Sequence, residues 1–245
     1  MTLGAKVKLA RGEIHVWRGS LEVASHQFDE FERTLSVDEI SRARRFHFER
    51  DRRSFIARRG ILRSILATYL ESKPSELRFL YNEFGKPRLE VSTDLHGLSF
   101  NQSHSRGQTL IAVAVDRQVG VDIEFIDNSV ACNELATRFF ARNEIAALEV
   151  MPGSAKVAGF FRCWARKEAY VKAREKGLSI PLDSFDVSLN QEKSSSVSGS
   201  EDSEVSKWKI EDLDVDSRYA CAIAAADCDW KVAQIDWHPG RLSNP

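Results

Sequence analysis

The alternation of hydrophobic and polar positions predicts several short strands in this chain. Residues 14–17 and 119–127 alternate as expected for strands with one buried face. Residues 109–115 are expected to pair with residues 119–127 in a hairpin. Further strands are predicted at residues 77–84, 88–91 and 98–101. The strands are therefore spread along the first half of the chain.

Other stretches carry hydrophobic residues at helical spacing. Ser36 and Glu39 form a capping box, which predicts that a helix begins there. Leu35 and Ile40 are placed to form the accompanying hydrophobic staple. A second helix is predicted over residues 52–70 and is expected to stop before the next proline. Helices and strands together predict an α+β fold.

A run of helix-forming residues extends over residues 160–178, and a glycine and a proline are expected to end this helix. Trp164, Glu168 and Lys172 recur every four residues and therefore share one face. In one interpretation Trp164 anchors a surface helix, and Glu168 and Lys172 form an ordinary ion pair. In the other, the two charged side chains belong to a reactive site. The helix alone does not decide between these interpretations.

The predicted strand at residues 119–127 places two carboxylates on one face. Asp122 and Glu124 project opposite the apolar side chains of this strand. Carboxylates at this spacing have Cα atoms about 6–7 Å apart, close enough to share one cation. With Glu168 as a third oxygen ligand, the set would favour Mg²⁺. A half-exposed strand with a polar outer face would show the same two carboxylates.

The composition restricts the partners and the organisation of the protein. The chain has 35 basic and 36 acidic residues, so no overall attraction to nucleic acid or to an anionic membrane is expected. No linker divides its 245 residues before Ser194, which predicts two closely packed lobes, whereas the serine-rich residues 194–206 are predicted to form a mobile loop. The four cysteines show no metal-binding spacing and are expected to be buried free thiols. Without a signal peptide or long apolar run, we expect a cytoplasmic protein.

Nine arginines lie between Arg42 and Arg63, among aromatic and aliphatic residues. At helical spacing, the apolar side chains are predicted to face inward and the arginines to form an outer face. Such a face can be solvated without a further role. Alternatively, a few guanidinium groups can bind a phosphate, for which their planar fork is suited.

A weak internal repeat relates residues 111–124 to residues 221–236, about 110 positions later. This suggests two lobes of like topology. The second copy has Gln234 and Asp236 and lacks the paired carboxylates of the first copy. Only the first copy is therefore expected to hold a metal ion.

Four motifs follow one another in the chain. They are G-K-P at residues 85–87, F-N-Q-S-H-S at 100–105, G-V-D-I-E at 120–124, and W-A-R-K-E-A-Y-V-K at 164–172. Together they resemble the Sfp-type 4′-phosphopantetheinyl transferases, over residues 35–181 and more loosely to the C-terminus. The order of four motifs is more specific than any one of them.

This resemblance implies an α+β fold of two lobes related by a pseudo-two-fold axis. Each lobe would consist of a long helix packed on a small antiparallel sheet. The N-terminal lobe, residues 1–116, would bind the nucleotide and 3′-phosphate of coenzyme A. The C-terminal lobe, residues 117–245, would hold the metal site and the W-x-x-K-E-A helix. A monomer with internal pseudo-symmetry is expected.

The resemblance also implies a reaction. A serine hydroxyl of an apo acyl or peptidyl carrier protein would attack coenzyme A, and adenosine 3′,5′-bisphosphate would leave. Asp122, Glu124 and Glu168 would hold Mg²⁺. Glu168 would accept the serine proton, and Lys172 would steady the charge on the leaving side. Coenzyme A would be bound by Arg50, Gly85, Lys86, Pro87, Asn101, Gln102, Ser103, His104 and Lys172.

Two alternatives stay open at this point. A different transferase that uses coenzyme A would work without a divalent metal. A non-catalytic protein could bind carrier proteins or nucleic acid through the basic face between Arg42 and Arg63. Glu39 stands where some members of the family carry a lysine, which leaves the contacts to the 3′-phosphate open.

Overall fold

The architecture is taken from a computed structural model, which describes residues 7–90, 97–175, 180–189, 192, 194–199 and 205–239. The chain forms two compact units. The first comprises Met1–Ser99, Gly107–Asp116 and Lys231–Pro245, and the second comprises Phe100–Arg106 and Arg117–Trp230. Both units combine helices and strands, which confirms the predicted α+β class. Within the described residues, no helix has the length and apolar character needed to cross a membrane.

Among its described residues, the first unit contains three α-helices and five strands. They are β1 (Glu13–Ser20), α1 (Ser25–Thr34), α2 (Val37–Ala43), α3 (Glu49–Leu70), β2 (Phe79–Tyr81), β3 (Pro87–Leu89), β5 (Gln108–Val115) and β11 (Lys231–Asp236). The strand β4 (Leu98–Ser105) lies between β3 and β5 in the chain. It begins in this unit and continues into the second. A short 3₁₀ helix at Pro74–Glu76 follows α3.

The sheet of the first unit is centred on β1. This strand pairs in parallel with β11 and antiparallel with β5. The sheet is therefore mixed, whereas an antiparallel sheet was expected. The parallel pair also brings the C-terminal strand into the first unit, so the compact units do not follow the predicted division between residues 116 and 117.

The predicted helices of the first unit are present. Ser36 caps α2, and its amide donates to the Glu39 carboxylate at 3.0 Å, which confirms the capping box. The helix α3 begins with Glu49 and Asp51 in its first turn, where carboxylates stabilise the positive end of the helix dipole. It packs closely on α1, because a Cβ at Gly60 would lie 2.2 Å from the Phe31 ring.

Where the structure describes it, the second unit contains three α-helices and five strands besides the end of β4. They are β6 (Val119–Phe125), α4 (Cys132–Phe139), α5 (Arg142–Glu149), α6 (Gly153–Ala173), β7 (Asp186–Val187), β8 (Ser194–Ser198), β9 (Trp208–Asp212) and β10 (Tyr219–Ala226). Its sheet has the strand order β6-β10-β9-β8-β7. The helix α6 packs on β6 and β10.

The predicted hairpin between residues 109–115 and 119–127 is wrong. Both strands exist, but β5 pairs with β1 and β6 pairs with β10. Asp116 adopts a left-handed conformation with φ 53°, and the next residue, Arg117, belongs to the second unit. The Arg117 guanidinium donates to the carbonyl oxygen of Ala226 at 2.8 Å and to the carboxylate of Asp229 at 2.9 Å. These bonds hold the start of β6 beside the end of β10.

The bounds of two other predicted segments also differ. The long helix begins seven residues earlier than predicted and ends at Ala173, because Glu175 turns the backbone with φ 57°. Residues 176–178 of the prediction lie outside the described residues. The prediction of a mobile loop at residues 194–206 is wrong for Ser194–Ser198, which form β8. Val197 of this strand is buried, and that apolar contact offsets the serine-rich composition.

Candidate active site

The site is built where α6 crosses β6, and a glycine sets their separation. A Cβ at Gly120 would lie 2.1 Å from the carbonyl oxygen of Ala169 and 2.4 Å from the amide nitrogen of Ala173. Both distances are far below a normal contact, so only glycine allows this approach of strand and helix. On β6, Asp122 and Glu124 follow Gly120 on the same face. The close approach therefore brings α6 side chains to these carboxylates.

Asp122 is the most buried carboxylate of the site, with 1% of its surface exposed. Its Oδ1 accepts hydrogen bonds from Lys172 Nζ at 2.5 Å and from Ser103 Oγ at 2.7 Å. Lys172 Nζ also donates to Ser103 Oγ at 3.0 Å. The other carboxylate oxygen of Asp122, Oδ2, is buried without a hydrogen-bond partner. An orphaned, buried carboxylate oxygen is costly, and a bound cation would satisfy it.

Glu124 lies in an environment that opposes its ionisation. Burial and the neighbouring charge of Asp122 raise the pKa of Glu124 to about 7. The positive charge of Lys172 acts in the opposite direction. Glu124 Oε2 accepts a hydrogen bond from Ser105 Oγ at 3.3 Å. Perturbed carboxylates of this kind are frequent at functional sites.

Glu168 lies on the α6 face predicted from the sequence and is half-buried. Burial raises the pKa of Glu168, with Lys172 lowering it and Asp122 adding to the rise. The structure therefore brings together Asp122, Glu124, Glu168 and Lys172 in one electrostatic cluster. Lys172 forms its close ion pair with Asp122 of β6, across to another element. An ordinary ion pair with Glu168 along the helix therefore does not fully explain the position of Lys172.

The described residues do not contain a ready arrangement of three or more His, Cys, Asp or Glu side chains around one metal position. Two observations nevertheless fit a divalent cation: the orphaned Oδ2 of Asp122, and the raised pKa values of Glu124 and Glu168. Burial raises both pKa values most, and repulsion from Asp122 adds to the rise; a bound cation offsets both effects by stabilising the ionised carboxylates. The donor set, oxygen atoms alone, suits Mg²⁺.

The F-N-Q-S-H-S motif on β4 faces the carboxylates of β6. Asn101 Oδ1 accepts a hydrogen bond from the amide of Val121 at 2.9 Å, and Asn101 is buried. Ser103 is buried as well and donates to Asp122. His104, in contrast, is exposed, and Gln102 is half-buried. Asn101 and Ser103 therefore support β6, a role that the sequence did not indicate.

The W-x-x-K part of the long helix is structural. Trp164 packs edge-on to Phe139, with 5.7 Å between the ring centroids, and lies near Phe140. Lys167 is fully buried, pairs with Glu144 at 2.8 Å, and donates to the carbonyl oxygen of Leu182 at 2.7 Å. A buried lysine needs such partners. Lys167 therefore fixes the orientation of the helix that carries Glu168 and Lys172.

Arg50 and the G-K-P turn lie in the first unit. Arg50 is 87% exposed and donates to Asp51 at 3.2 Å. Lys86 is half-buried and follows Gly85, whose φ of 78° requires a residue without a Cβ. Asn82 Oδ1 accepts the Lys86 amide at 2.8 Å and so holds the turn in one conformation. Pro87 begins β3.

The predicted outer face of arginines is wrong for two of its members. Arg59 and Arg63 are buried and both pair with Glu39, which is also buried. Burial opposes the ionisation of Glu39, but the charges of the two arginines hold its pKa below the usual value. Arg63 also donates to the carbonyl oxygens of Pro74 and Leu77, at 2.8 and 3.1 Å. Glu39 is therefore the centre of a structural ion cluster.

Comparison with known proteins gives consistent matches. The profile of the 4′-phosphopantetheinyl transferase superfamily matches residues 118–224, and that of the 4′-phosphopantetheinyl transferase N-terminal region matches residues 19–116. The chain is 37% identical over 230 residues to the 4′-phosphopantetheinyl transferase HetI of Nostoc sp., with 94% of each chain covered. It is 31% identical over 208 residues to the 4′-phosphopantetheinyl transferase Sfp of Bacillus subtilis, covering 85% of this chain and 89% of the relative.

Proposed function

This chain belongs to the 4′-phosphopantetheinyl transferase superfamily, and on that premise we propose that it modifies apo acyl or peptidyl carrier proteins. The donor would be coenzyme A and the acceptor a serine hydroxyl of the carrier. The serine oxygen would form a bond to the pantetheine-side phosphorus. The bond from this phosphorus to the leaving adenosine 3′,5′-bisphosphate would break.

The observation that carries this proposal is the cluster of Asp122, Glu124, Glu168 and Lys172 in the second unit. Phosphoryl-type transfers depend on alignment and charge neutralisation more than on covalent participation of the protein. Three carboxylates and one ammonium group in a partly dry environment are suited to this task. A solvated polar strand face would not bury Asp122 almost completely.

Asp122, Glu124 and Glu168 would hold the divalent cation, for which the orphaned Oδ2 of Asp122 is the strongest support. Bound there, Mg²⁺ supplies charge neutralisation to a pyrophosphate. The oxygen-only donor set is the reason for preferring Mg²⁺ to a softer metal.

Glu168 is the proposed acceptor of the serine proton. Its burial raises the pKa toward the operating range, which makes a carboxylate a better base at neutral pH. Lys172 is proposed to bind a phosphate oxygen of coenzyme A and to stabilise the charge that develops on the leaving side. Its present partners, Asp122 and Ser103, place its ammonium group beside the carboxylates.

In the first unit, Arg50 and the turn of Gly85, Lys86 and Pro87 are proposed to bind the nucleotide end of coenzyme A. Arg50 is free to reorient because it is highly exposed. Phe84, next to the turn, is 47% exposed and offers a ring face on which a base can stack. Gln102 and His104 are proposed as further polar contacts, and they are more accessible than Asn101 and Ser103.

The basic face between Arg42 and Arg63 is less suited to binding nucleic acid than its sequence indicates. Arg59 and Arg63 are neutralised by Glu39 and are buried. Their charges are therefore not available to a nucleic acid. We propose a monomeric enzyme that acts in the cytoplasm on coenzyme A and carrier proteins.

Incubation with coenzyme A, Mg²⁺ and a panel of apo carrier proteins tests this function. Intact mass spectrometry should show one carrier gaining the mass of a single phosphopantetheine group. Chelation by EDTA and the Asp122→Ala variant should each lower the rate by roughly 10²-fold or more, because an electrostatic stabiliser is lost. A panel without any modified carrier, or full turnover in EDTA, would contradict the proposal.

A further inference from the structure

The serine that ends β4 makes two hydrogen bonds to neighbouring residues of β6. Ser105 Oγ accepts the amide hydrogen of Phe125 at 3.0 Å and lies 3.3 Å from Glu124 Oε2. A serine hydroxyl has one proton to donate. Because the amide uses the hydroxyl oxygen as its acceptor, the proton of Ser105 is directed to the Glu124 carboxylate.

These bonds belong to a regular pattern along the two strands. Asn101, Ser103 and Ser105 alternate on β4, and each contacts β6 through its side chain. Asn101 bonds to the Val121 amide, and Ser103 bonds to Asp122. The alternation places all three side chains on one face of β4.

We propose that Ser105 is a positioning residue that fixes the Glu124 carboxylate for cation binding. The inference rests on the proposed function, because it concerns the same carboxylates. A glutamate has three rotatable bonds, and ordering such a side chain costs conformational entropy. A hydroxyl that is itself held by the backbone lowers that cost, since it favours one position of the carboxylate before the cation arrives.

Cation binding measured without turnover tests this role. Free Mn²⁺ is followed by electron paramagnetic resonance as the protein is titrated, with and without saturating coenzyme A. Ser105→Ala should weaken Mn²⁺ binding by about 10-fold, the lower end of the range typical for residues that orient metal ligands. Ser105→Thr, which keeps a hydroxyl and suits a strand, should bind Mn²⁺ with nearly the affinity of the parent.

Ser129→Ala is the matched control, because Ser129 Oγ also donates to a carboxylate, that of Asp127, at 2.6 Å. This exposed pair lies outside the cluster, so the variant should bind Mn²⁺ like the parent. A double-mutant cycle provides the second readout. In the Glu124→Gln background, Ser105→Ala should have little further effect on Mn²⁺ affinity, because its target carboxylate is already gone.

The outcomes distinguish the proposed role of Ser105 from the proposed cation site. Parent-like Mn²⁺ binding by a folded Ser105→Ala protein would overturn the role of Ser105 while leaving the cation site intact. An equal loss of Mn²⁺ affinity in Ser105→Ala and Ser105→Thr would also overturn the role of Ser105, because the affinity would then not depend on the hydroxyl. A parent protein that binds no Mn²⁺ under either condition would overturn both the cation site and this inference.

Discussion

Gly120 lies so close to Ala169 that a Cβ at position 120 would be 2.1 Å from the Ala169 carbonyl oxygen. The obstructing atom belongs to the helix backbone, which cannot rotate away as a side chain can. The glycine of the G-V-D-I-E motif is thus a packing requirement between β6 and α6. It also determines how near Glu168 and Lys172 come to Asp122.

Gly120→Ala should therefore impair both stability and catalysis. Forcing a methyl group into this contact should cost about 1–3 kcal/mol of unfolding free energy or more. Carrier modification should fall as well, because α6 must move away from Asp122. Gly153→Ala is the control, since a Cβ there meets no atom within 4 Å. Urea denaturation together with the carrier assay would measure both effects, and a stable, fully active Gly120→Ala protein would contradict this account of the contact.

A second prediction concerns the buried cluster of Glu39, Arg59 and Arg63. Glu39→Gln would leave two buried guanidinium groups without a counter-charge, which should cost about 3–5 kcal/mol of unfolding free energy. Because the folded-state pKa of Glu39 is lowered, its contribution is present above the usual glutamate pKa and is lost as pH falls through the folded value. Glu30→Gln, an exposed change on α1, should be nearly neutral. Equal stabilities of the two variants in urea at pH 7 would refute the structural role of Glu39.

These residues also mark where sequence patterns were informative. The capping box, the long helices and the carboxylate pair of β6 are local features, and local spacing predicted them. The burial of Arg59 and Arg63 was missed because it depends on Glu39, twenty or more positions away.

The pairing of strands shows the same limit. Residues 109–115 and 119–127 are adjacent in sequence, so a hairpin between them was the simplest expectation. Instead, β5 lies between β1 and β4, and β6 pairs with β10. Hydrophobic alternation specifies which face of a strand is buried but not which neighbour it pairs with. The role of Ser105 was hidden for a related reason, since the contact joins β4 to β6 through side chains.

The raised pKa of Glu124 predicts how the metal-free protein responds to pH. Between about pH 4.5 and 7 the folded protein retains a proton at Glu124 that the unfolded chain has released, so stability should fall as pH rises through this window. Glu124→Gln removes this penalty. In EDTA its melting temperature should exceed that of the parent at pH 8 and approach the parent value near pH 4. The exposed control Glu149→Gln should follow the parent. If Glu124→Gln melts below the parent at pH 8, the assigned environment of Glu124 is wrong.

Arg50→Ala tests the proposed contact with coenzyme A. If Arg50 binds the 3′-phosphate, the variant should raise KM for coenzyme A far more than for 3′-dephospho-coenzyme A, because only the former carries that group. Arg33→Ala, which removes an exposed arginine of α1, should leave both KM values unchanged. Equal effects of Arg50→Ala on the two substrates would assign Arg50 to the solvated face.

Glu168→Gln distinguishes a catalytic role of Glu168 from a structural one. If Glu168 only interacts with Lys172 along the helix, the change should cost about 0.3–0.5 kcal/mol of stability and leave turnover nearly intact. If Glu168 holds the cation and accepts the serine proton, the same change removes a charge and a base, so kcat should fall by roughly 10²-fold or more. The melting temperature should change little, because Gln keeps the size of the side chain. With Glu149→Gln as the control, a folded Glu168→Gln protein that modifies its carrier at the parent rate would return Glu168 to a structural role and remove the proposed base from the mechanism.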